Sequence, residues 1–153
     1  MKLSTKGRYG LKAMFELALN YGEEPVSIKY ISEKQNISER YLEQIFSKLK
    51  KANLIKSIRG AQGGYFLSKP PEEISVGDIL NVLEGPITIS DCLKEDGNCS
   101  NAGKCVTRLV WKKMKNAIDE VVNTTFLRDM VDDWNKVDES SEDEKIYKIN
   151  LNK

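Results

Sequence analysis

The chain has 153 residues, of which 40% are hydrophobic and 31% charged, a balance typical of a globular protein with its own core. No apolar run approaches the length needed to cross a bilayer, and residues 1–5 lack a signal-peptide core, so we expect no membrane partner and a cytoplasmic location. The net charge of +1 hides a division: residues 1–70 hold thirteen Lys and Arg against six Asp and Glu, whereas the remainder carries −6. A basic first half attracts phosphate, which favours a nucleic-acid partner.

Three helical patterns open the chain. Ser4 or Thr5 can cap a helix that stops at Gly22, and Ser27 can cap a shorter helix that ends near residues 35–36. The third pattern places apolar residues at the spacing i, i+3, i+4, i+7 of one buried helical face, and its members are Leu42, Ile45, Phe46 and Leu49. Two helices joined by so short a turn predict a helix-turn-helix whose second helix enters the major groove.

Two short strands, over residues 54–58 and 65–67, flank a glycine-rich tip directly after the third helix. A capping box formed by Ser75 and Asp78 then starts a helix that ends at Gly85 and is expected to pack on the DNA-binding domain. The predicted fold class is mainly α: a winged helix-turn-helix DNA-binding domain with a two-stranded β wing and a long C-terminal dimerisation helix.

That long helix is predicted over residues 105–123. Its apolar stripe is too wide for one buried contact in a small domain, so we expect it to pack on its own domain and on a second copy of the chain. A core helix of a monomer is the alternative. The predicted division of the chain is a DNA-binding domain (1–86), a cysteine loop (87–105), a dimerisation helix with a short terminal helix (105–134) and a disordered charged tail (135–153).

The polar face of the third helix and the wing tip carry the candidate DNA contacts. A carboxylate such as Glu43 accepts a hydrogen bond from the amino group of cytosine, and a Gln amide such as Gln44 can pair with adenine. Lysines towards the helix end suit phosphate, and Arg59 at the wing tip suits the minor groove. The predicted DNA-binding residues are Arg40, Glu43, Gln44, Lys48, Arg59 and Gln62. Two copies related by a two-fold axis would read a palindromic promoter element in double-stranded DNA.

All three cysteines, Cys92, Cys99 and Cys105, lie in one loop. An odd number of cysteines without a signal peptide argues against a disulfide framework and for metal or redox chemistry. The chain has no histidine, so other ligands would have to complete any metal site. The wide spacing speaks weakly against zinc and leaves three readings open: an iron–sulfur cluster, zinc or reactive thiols.

The chain resembles the IscR-type family of winged-helix iron–sulfur transcription regulators, whose relatives include NsrR and CymR. The resemblance covers residues 1–134 and rests on the segments LSTKGRY (3–9), YLEQIF (41–46) and IRGAQGGY (58–65) and on the cysteine triad. It implies a homodimer that carries an iron–sulfur cluster on Cys92, Cys99 and Cys105, 2Fe–2S in the first place and 4Fe–4S as the alternative. It also implies repression of cluster-assembly genes, with Glu43 matching the family's recognition-helix acid.

One departure from the family pattern concerns the fourth ligand. The IscR branch has a histidine three residues after the last cysteine, where this chain has Arg108. The NsrR branch can use an acid near the N-terminus of the partner subunit, and the matching residue here is Arg8. The fourth ligand therefore stays unassigned, with a carboxylate such as Asp91 or Glu95, Thr107 or a small thiol as candidates.

Several other functions compete with cluster sensing. A nitric-oxide-responsive regulator or a regulator of cysteine metabolism would share the same fold and DNA site. The resemblance implies that the cysteine-metabolism branch needs no cluster, so the triad argues against it. An iron–sulfur carrier or scaffold would leave the basic half and the wing unexplained. An enzyme is not expected, since the chain offers no histidine and no paired carboxylates or phosphate loop.

Overall fold

The computed structural model of the protein describes residues 2–139. Its first part consists of three helices: α1 (Thr5–Leu19), α2 (Ile28–Gln35) and α3 (Glu39–Lys51). A serine caps each of them, because the hydroxyl oxygens of Ser4, Ser27 and Ser38 accept hydrogen bonds from the backbone N–H groups three residues further on. The predicted caps and the tight turn between α2 and α3 are therefore confirmed, while α1 ends slightly before the predicted stop.

The wing is an antiparallel pair of strands, β1 (Ile55–Ile58) and β2 (Gly64–Leu67), in which Ile55 faces Leu67. An isolated bridge adds the segment before α2 to this sheet, since Val26 and Tyr65 exchange two backbone hydrogen bonds of 2.8 Å. The wing is thereby joined to the segment before α2 at Tyr65, one ladder pair from its tip end.

The remaining elements are a 3-10 turn (Pro71–Glu73), α4 (Val76–Glu84), a second 3-10 turn (Asp91–Leu93), α5 (Val106–Thr124) and α6 (Leu127–Glu139). The predicted capping box is confirmed, because Ser75 Oγ accepts from the Asp78 backbone N–H and the Asp78 carboxylate accepts from the Ser75 N–H. No helix within residues 2–139 is long and apolar enough to cross a bilayer.

The last helix is longer than the sequence predicts. The predicted segment covers residues 125–134 with a disordered tail over 135–153, whereas α6 continues to Glu139. Opposite charges three or four residues apart favour this extra length, namely Arg128 with Asp132 and Asp133 with Lys136. Residues 140–153 lie outside the described part of the chain, so the disorder expected there stays a prediction.

One hydrophobic core joins the helices and the wing. The four apolar residues predicted on the inner face of α3 are each at most 1% exposed, and they are Leu42, Ile45, Phe46 and Leu49. The Phe46 ring also stacks against Tyr65 of β2 with a centroid distance of 4.6 Å. Burial of one face of α3 against the core leaves its opposite face in solvent.

Helices α1 and α4 approach each other closely because two glycines of α1 have no side chain. A Cβ on Gly10 would lie 2.0 Å from Leu83 Cδ1, and one on Gly7 would meet the carboxylate of Glu84. That carboxylate accepts hydrogen bonds from the backbone N–H and the hydroxyl of Ser4 at 2.6 and 2.5 Å. The prediction that α4 packs on the DNA-binding domain is confirmed.

Candidate nucleic-acid interface and cysteine loop

The exposed side of α3 carries four of the predicted DNA-binding residues, and we call them the reading face: Arg40, Glu43, Gln44 and Lys48. All four are exposed, since the spacing of the buried apolar residues turns these positions towards solvent. Within residues 2–139 none of the four forms an ion pair with an acid or base. Donors and acceptors that are free in this way can pair with base edges or phosphates.

The wing tip presents the other two predicted residues, Arg59 and Gln62, both exposed. The turn between them is tight: Gly60 has a φ of +113°, and the Gly63 N–H donates to the Gly60 carbonyl at 3.0 Å. A Cβ on Gly63 would lie 2.2 Å from the Ile58 carbonyl oxygen, so only glycine fits there. The glycines therefore shape the tip that holds Arg59 away from the core.

Two side-chain contacts tie neighbouring elements of the DNA-binding domain together. The Lys50 ammonium donates to Ser57 Oγ at 2.6 Å and so ties the end of α3 to β1. The Gln35 amide donates to the buried Glu16 carboxylate at 2.6 Å and ties α2 to α1. Lys50 thus contacts the wing, although its sequence context had suggested phosphate.

Sequence reasoning missed Lys6 as a member of this surface. Lys6 lies in the first turn of α1, yet it lines the same small cleft as Gln44 and Lys48 of α3. A lysine outside any periodic pattern gives no signal in the sequence, because only the packing of α1 on α3 brings it there.

The cysteine loop, residues 87–105, holds three free thiols in different settings. Cys92 sits in the 3-10 turn, half-buried, with its sulfur 3.2 Å from Ser90 Oγ, whereas Cys99 is exposed. Cys105 is the residue before α5, and its sulfur lies 3.1 Å from Thr107 Oγ1. The loop therefore supplies soft thiol donors at the entrance to the long helix.

Arg108 occupies the position at which the resemblance implies a histidine ligand. Its side chain is half-buried, and its Nε–H donates to the Cys92 carbonyl oxygen at 3.4 Å. Arg108 thus joins the beginning of the cysteine loop to the first turn of α5. Of the candidate fourth ligands, Asp91 is engaged by the Lys94 ammonium at 2.5 Å, which holds the pKa of that carboxyl below its usual value.

The chemistry of the three thiols suits an iron–sulfur cluster, which binds to cysteine thiolates. The three thiols are not close together in this structure. No group of three or more His, Cys, Asp or Glu side chains in residues 2–139 is close enough to hold a metal ion. The donor set therefore fits the implied cofactor in kind, and the assignment of Cys92, Cys99 and Cys105 as ligands stays a prediction.

Comparison with known proteins identifies the family to which this chain belongs. Residues 3–133 match the Rrf2 family, described as iron-dependent transcriptional regulators. The chain belongs to the Rrf2 family. Its members' shared role makes this protein a DNA-binding transcriptional regulator and not an enzyme, as the winged helix-turn-helix predicts.

Relatives of two kinds are similar to this Rrf2-family chain. CymR of Bacillus subtilis (strain 168) is 47% identical over 130 residues, covering 85% of this chain and 89% of that protein. The solved structure of B. subtilis CymR, described as the global cysteine regulator, matches with a TM-score of 0.75 over 86% of this chain and 97% of its own. A structure of T. potens IscR is 47% identical with a TM-score of 0.74 and covers 90% of both chains. IscR of Aliivibrio salmonicida is 38% identical over 146 residues, covering 95% of this chain and 86% of that protein.

Helix α5 of this Rrf2-family chain exposes a row of large apolar residues, which we call the apolar stripe: Val106, Leu109, Val110, Met114 and Val121. Each is between 43% and 74% exposed, and no residue of α5 is fully buried. Trp111, Ile118 and Val122 of the same helix are half-buried, and α5 packs on α4 and on the 3-10 turn Asp91–Leu93. An exposed apolar row of this length marks an interaction surface.

Thr107→Val is expected to slow the alkylation of Cys105 at neutral pH. The hydrogen bonds from the Thr107 hydroxyl and from the Arg108 backbone N–H lower the pKa of the Cys105 thiol, and the thiolate is the reactive form. Loss of the hydroxyl raises that pKa, so a higher pH is needed for the same fraction of thiolate. The measurement is the labelling rate against pH in metal-free protein with Cys92→Ser and Cys99→Ser, so that Cys105 alone reacts. An unchanged pH profile would show that the hydroxyl does not act on this sulfur.

Proposed function

We propose that this Rrf2-family protein regulates genes of cysteine metabolism by placing α3 in the major groove and the wing in the minor groove of its operator. The observation that carries the choice of genes is the 47% identity to B. subtilis CymR along 89% of that protein, together with its description as a global cysteine regulator. Regulation of iron–sulfur biogenesis, which the cysteine triad had favoured, becomes the second candidate.

The reading face supports the DNA-binding step through its chemistry. Glu43 can accept a hydrogen bond from a cytosine amino group, and Gln44 can form two hydrogen bonds with the major-groove edge of an adenine. Arg40 at the start of α3 and Lys48 in its last turn flank them along the same exposed side. Arg40 and Lys48 would fix the register on phosphates, while Glu43 and Gln44 would select bases.

The wing adds a second contact outside the major groove. Arg59 carries the only charge at the tip and is held out by the tight glycine turn. Narrow minor grooves concentrate negative potential and attract arginine, and Gln62 beside it can hydrogen-bond to base edges or sugars. We assign both residues to the minor groove next to the half-site read by α3.

Dimerisation through α5 would place two DNA-binding domains in one complex. The apolar stripe of one chain would pack on that of a second chain, while the opposite side of α5 stays on its own DNA-binding domain. Each segment then has its own role: residues 1–86 bind DNA, the cysteine loop (87–105) carries the thiols, and the helices of residues 105–134 form the dimer. A two-fold axis then predicts a palindromic operator with half-sites about one helical turn apart.

Arg59→Ala is expected to weaken operator binding by on the order of 1–3 kcal/mol, or roughly 5- to 150-fold, because the arginine contact with the groove is lost. Lys69→Ala is the matched control, since Lys69 is also exposed and lies beyond the end of β2. The measurement is fluorescence anisotropy on an operator selected from random DNA, at one salt concentration. Equal affinity of Arg59→Ala and Lys69→Ala would remove the wing from the DNA contact.

The second candidate, sensing of an iron–sulfur cluster, is favoured by the confinement of every cysteine to the loop before α5. Cys92, Cys99 and Cys105 would hold the cluster, which would supply a signal that depends on iron, sulfide and oxidants. Arg108 would then have to release the Cys92 carbonyl or keep it while the loop closes. The 47% identity to T. potens IscR supports this reading as well.

Mapping of promoter occupancy in the native cell separates the two candidates. We expect the protein at promoters for cysteine uptake and synthesis, with an occupancy that follows cysteine supply and persists in the Cys92→Ser/Cys99→Ser/Cys105→Ser variant. Occupancy at cluster-assembly promoters that follows iron supply and is lost in that variant would instead establish the second candidate. Absence of the protein from both promoter sets would contradict the proposed function.

A further inference from the structure

Two lysines from different helices lie at the edge of the reading face, to which one of them, Lys48, belongs. Lys6 in the first turn of α1 and Lys48 in the last turn of α3 line one cleft of about 140 Å³. The other residues that line it are Tyr41, Gln44 and Ile45, so no acid of residues 2–139 contributes to its walls. The cleft is therefore positively charged and opens on the side of α3 that carries the other predicted DNA contacts.

Lys6 acts on Lys48 across this shared cleft. Hydrogen-bonding contact with Lys6 and its charge lower the pKa of Lys48, which is the response expected of a cation pressed against a like charge. Neither lysine belongs to an ion pair within residues 2–139. The carboxylate of Glu84, near the start of α1, is already engaged by Ser4. Because Lys6 and Lys48 lie together without an acid of residues 2–139 between them, the cleft can bind an external anion.

We propose that Lys6 and Lys48 together bind a single backbone phosphate of operator DNA, with the O–H of Tyr41 as a further donor in the same cleft. The inference rests on the proposed entry of α3 into the major groove, which brings the phosphate backbone past the last turn of this helix. A phosphate between the two ammonium groups replaces their repulsion by two attractions. Because one lysine comes from α1, the grip also sets the angle at which α3 enters the groove.

The test compares Lys6→Ala, Lys48→Ala and the double variant in the full chain, with Lys136→Ala on α6 as a control that removes the same charge elsewhere. Operator affinity is measured against salt concentration, on the selected operator and on unrelated DNA. Each single variant should weaken the binding to the selected operator and to unrelated DNA by the same factor, because a phosphate contact carries no sequence information. In the double variant the salt slope should fall by about 1 per chain, since one phosphate contact is lost. The double loss should be smaller than the product of the two single losses, because the lysines share one ligand.

A second readout excludes a merely structural role. In the absence of DNA, removal of either lysine relieves repulsion, so the thermal midpoint of each variant should equal or exceed that of the wild type. A lower midpoint together with weaker DNA binding, or single losses that multiply in the double variant, would overturn the shared grip. A salt slope of the double variant equal to that of Lys136→Ala would also overturn the shared grip.

Inorganic phosphate at constant ionic strength distinguishes a free anion from the DNA backbone. If it stabilises the wild type but not the double variant, and all variants bind DNA alike, the ligand is a free oxyanion and the DNA assignment is overturned. If the wild type selects no operator from random DNA, that result would instead contradict the proposed function itself. A wild type that binds tightly, with lysine variants that bind equally well, would contradict the grip alone.

Discussion

Val110→Glu is expected to convert the protein into a monomer and to weaken binding to a palindromic operator by roughly 100-fold or more, because the second half-site is no longer bound within the same complex. Val110 is 48% exposed near the middle of the apolar stripe. At an interface between two α5 helices, the substitution would bury two unpaired carboxylates close to each other, which is strongly unfavourable. Sedimentation equilibrium and DNA titration measure the two effects.

Lys112→Glu provides the control for this substitution. Lys112 is exposed on the same helix but lies on the side away from Val110, so its replacement changes the charge without entering the proposed interface. This variant should remain a dimer in the absence of DNA. A Val110→Glu protein that is still dimeric and still binds the palindrome as the wild type does would place the dimer contact elsewhere.

Phe46→Ala is expected to lower the free energy of unfolding by about 3–5 kcal/mol, because it leaves a large cavity in a well-packed core. Phe46 is 0% exposed and stacks on Tyr65, so its loss loosens α3 from the wing as well as from the core. Domains of this size have a total stability of only about 5–15 kcal/mol, so DNA binding should fail well below the unfolding temperature of the wild type. Urea unfolding followed by circular dichroism measures the change.

Phe15→Ala is the matched control for the core substitution. Phe15 of α1 is half-buried and packs edge-on against Trp134 of α6, with a centroid distance of 6.0 Å. The same chemical change at this partly exposed position should cost clearly less, because part of the space is refilled by solvent. Similar losses for the two variants would show that Phe46 does not anchor α3.

Much of the DNA-binding domain could be predicted from local signals in the sequence. Serine caps predicted α1, α2 and α4, and an apolar stripe predicted α3, because capping and side-chain periodicity act within a few residues. The wing followed from two short apolar runs around glycines, and the exposure of the reading face followed from the burial of its opposite side. Gly7 and Gly10 are unfavourable inside a helix, and only the close approach of α4 explains why α1 contains them.

Features that depend on distant parts of the chain could not be predicted in this way. The cleft shared by Lys6 and Lys48 arises from the packing of α1 on α3, and the hydrogen bond from Arg108 to Cys92 joins residues 16 positions apart. The extension of α6 to Glu139 was missed because its charged residues resemble a disordered tail until their pairing at helical spacing is seen. The choice between cysteine and iron–sulfur genes likewise depends on the similarity to whole relatives rather than on one motif.

Hydroxyl-radical footprinting of the selected operator tests most directly whether two chains present paired α3 helices to one duplex. The titration is run with the full chain at fixed salt, and the stoichiometry is read from the same samples by mass photometry. We expect two chains per operator and two protected backbone segments about one helical turn apart, roughly 34–36 Å centre to centre. A single protected segment occupied by one chain with full affinity would contradict this arrangement.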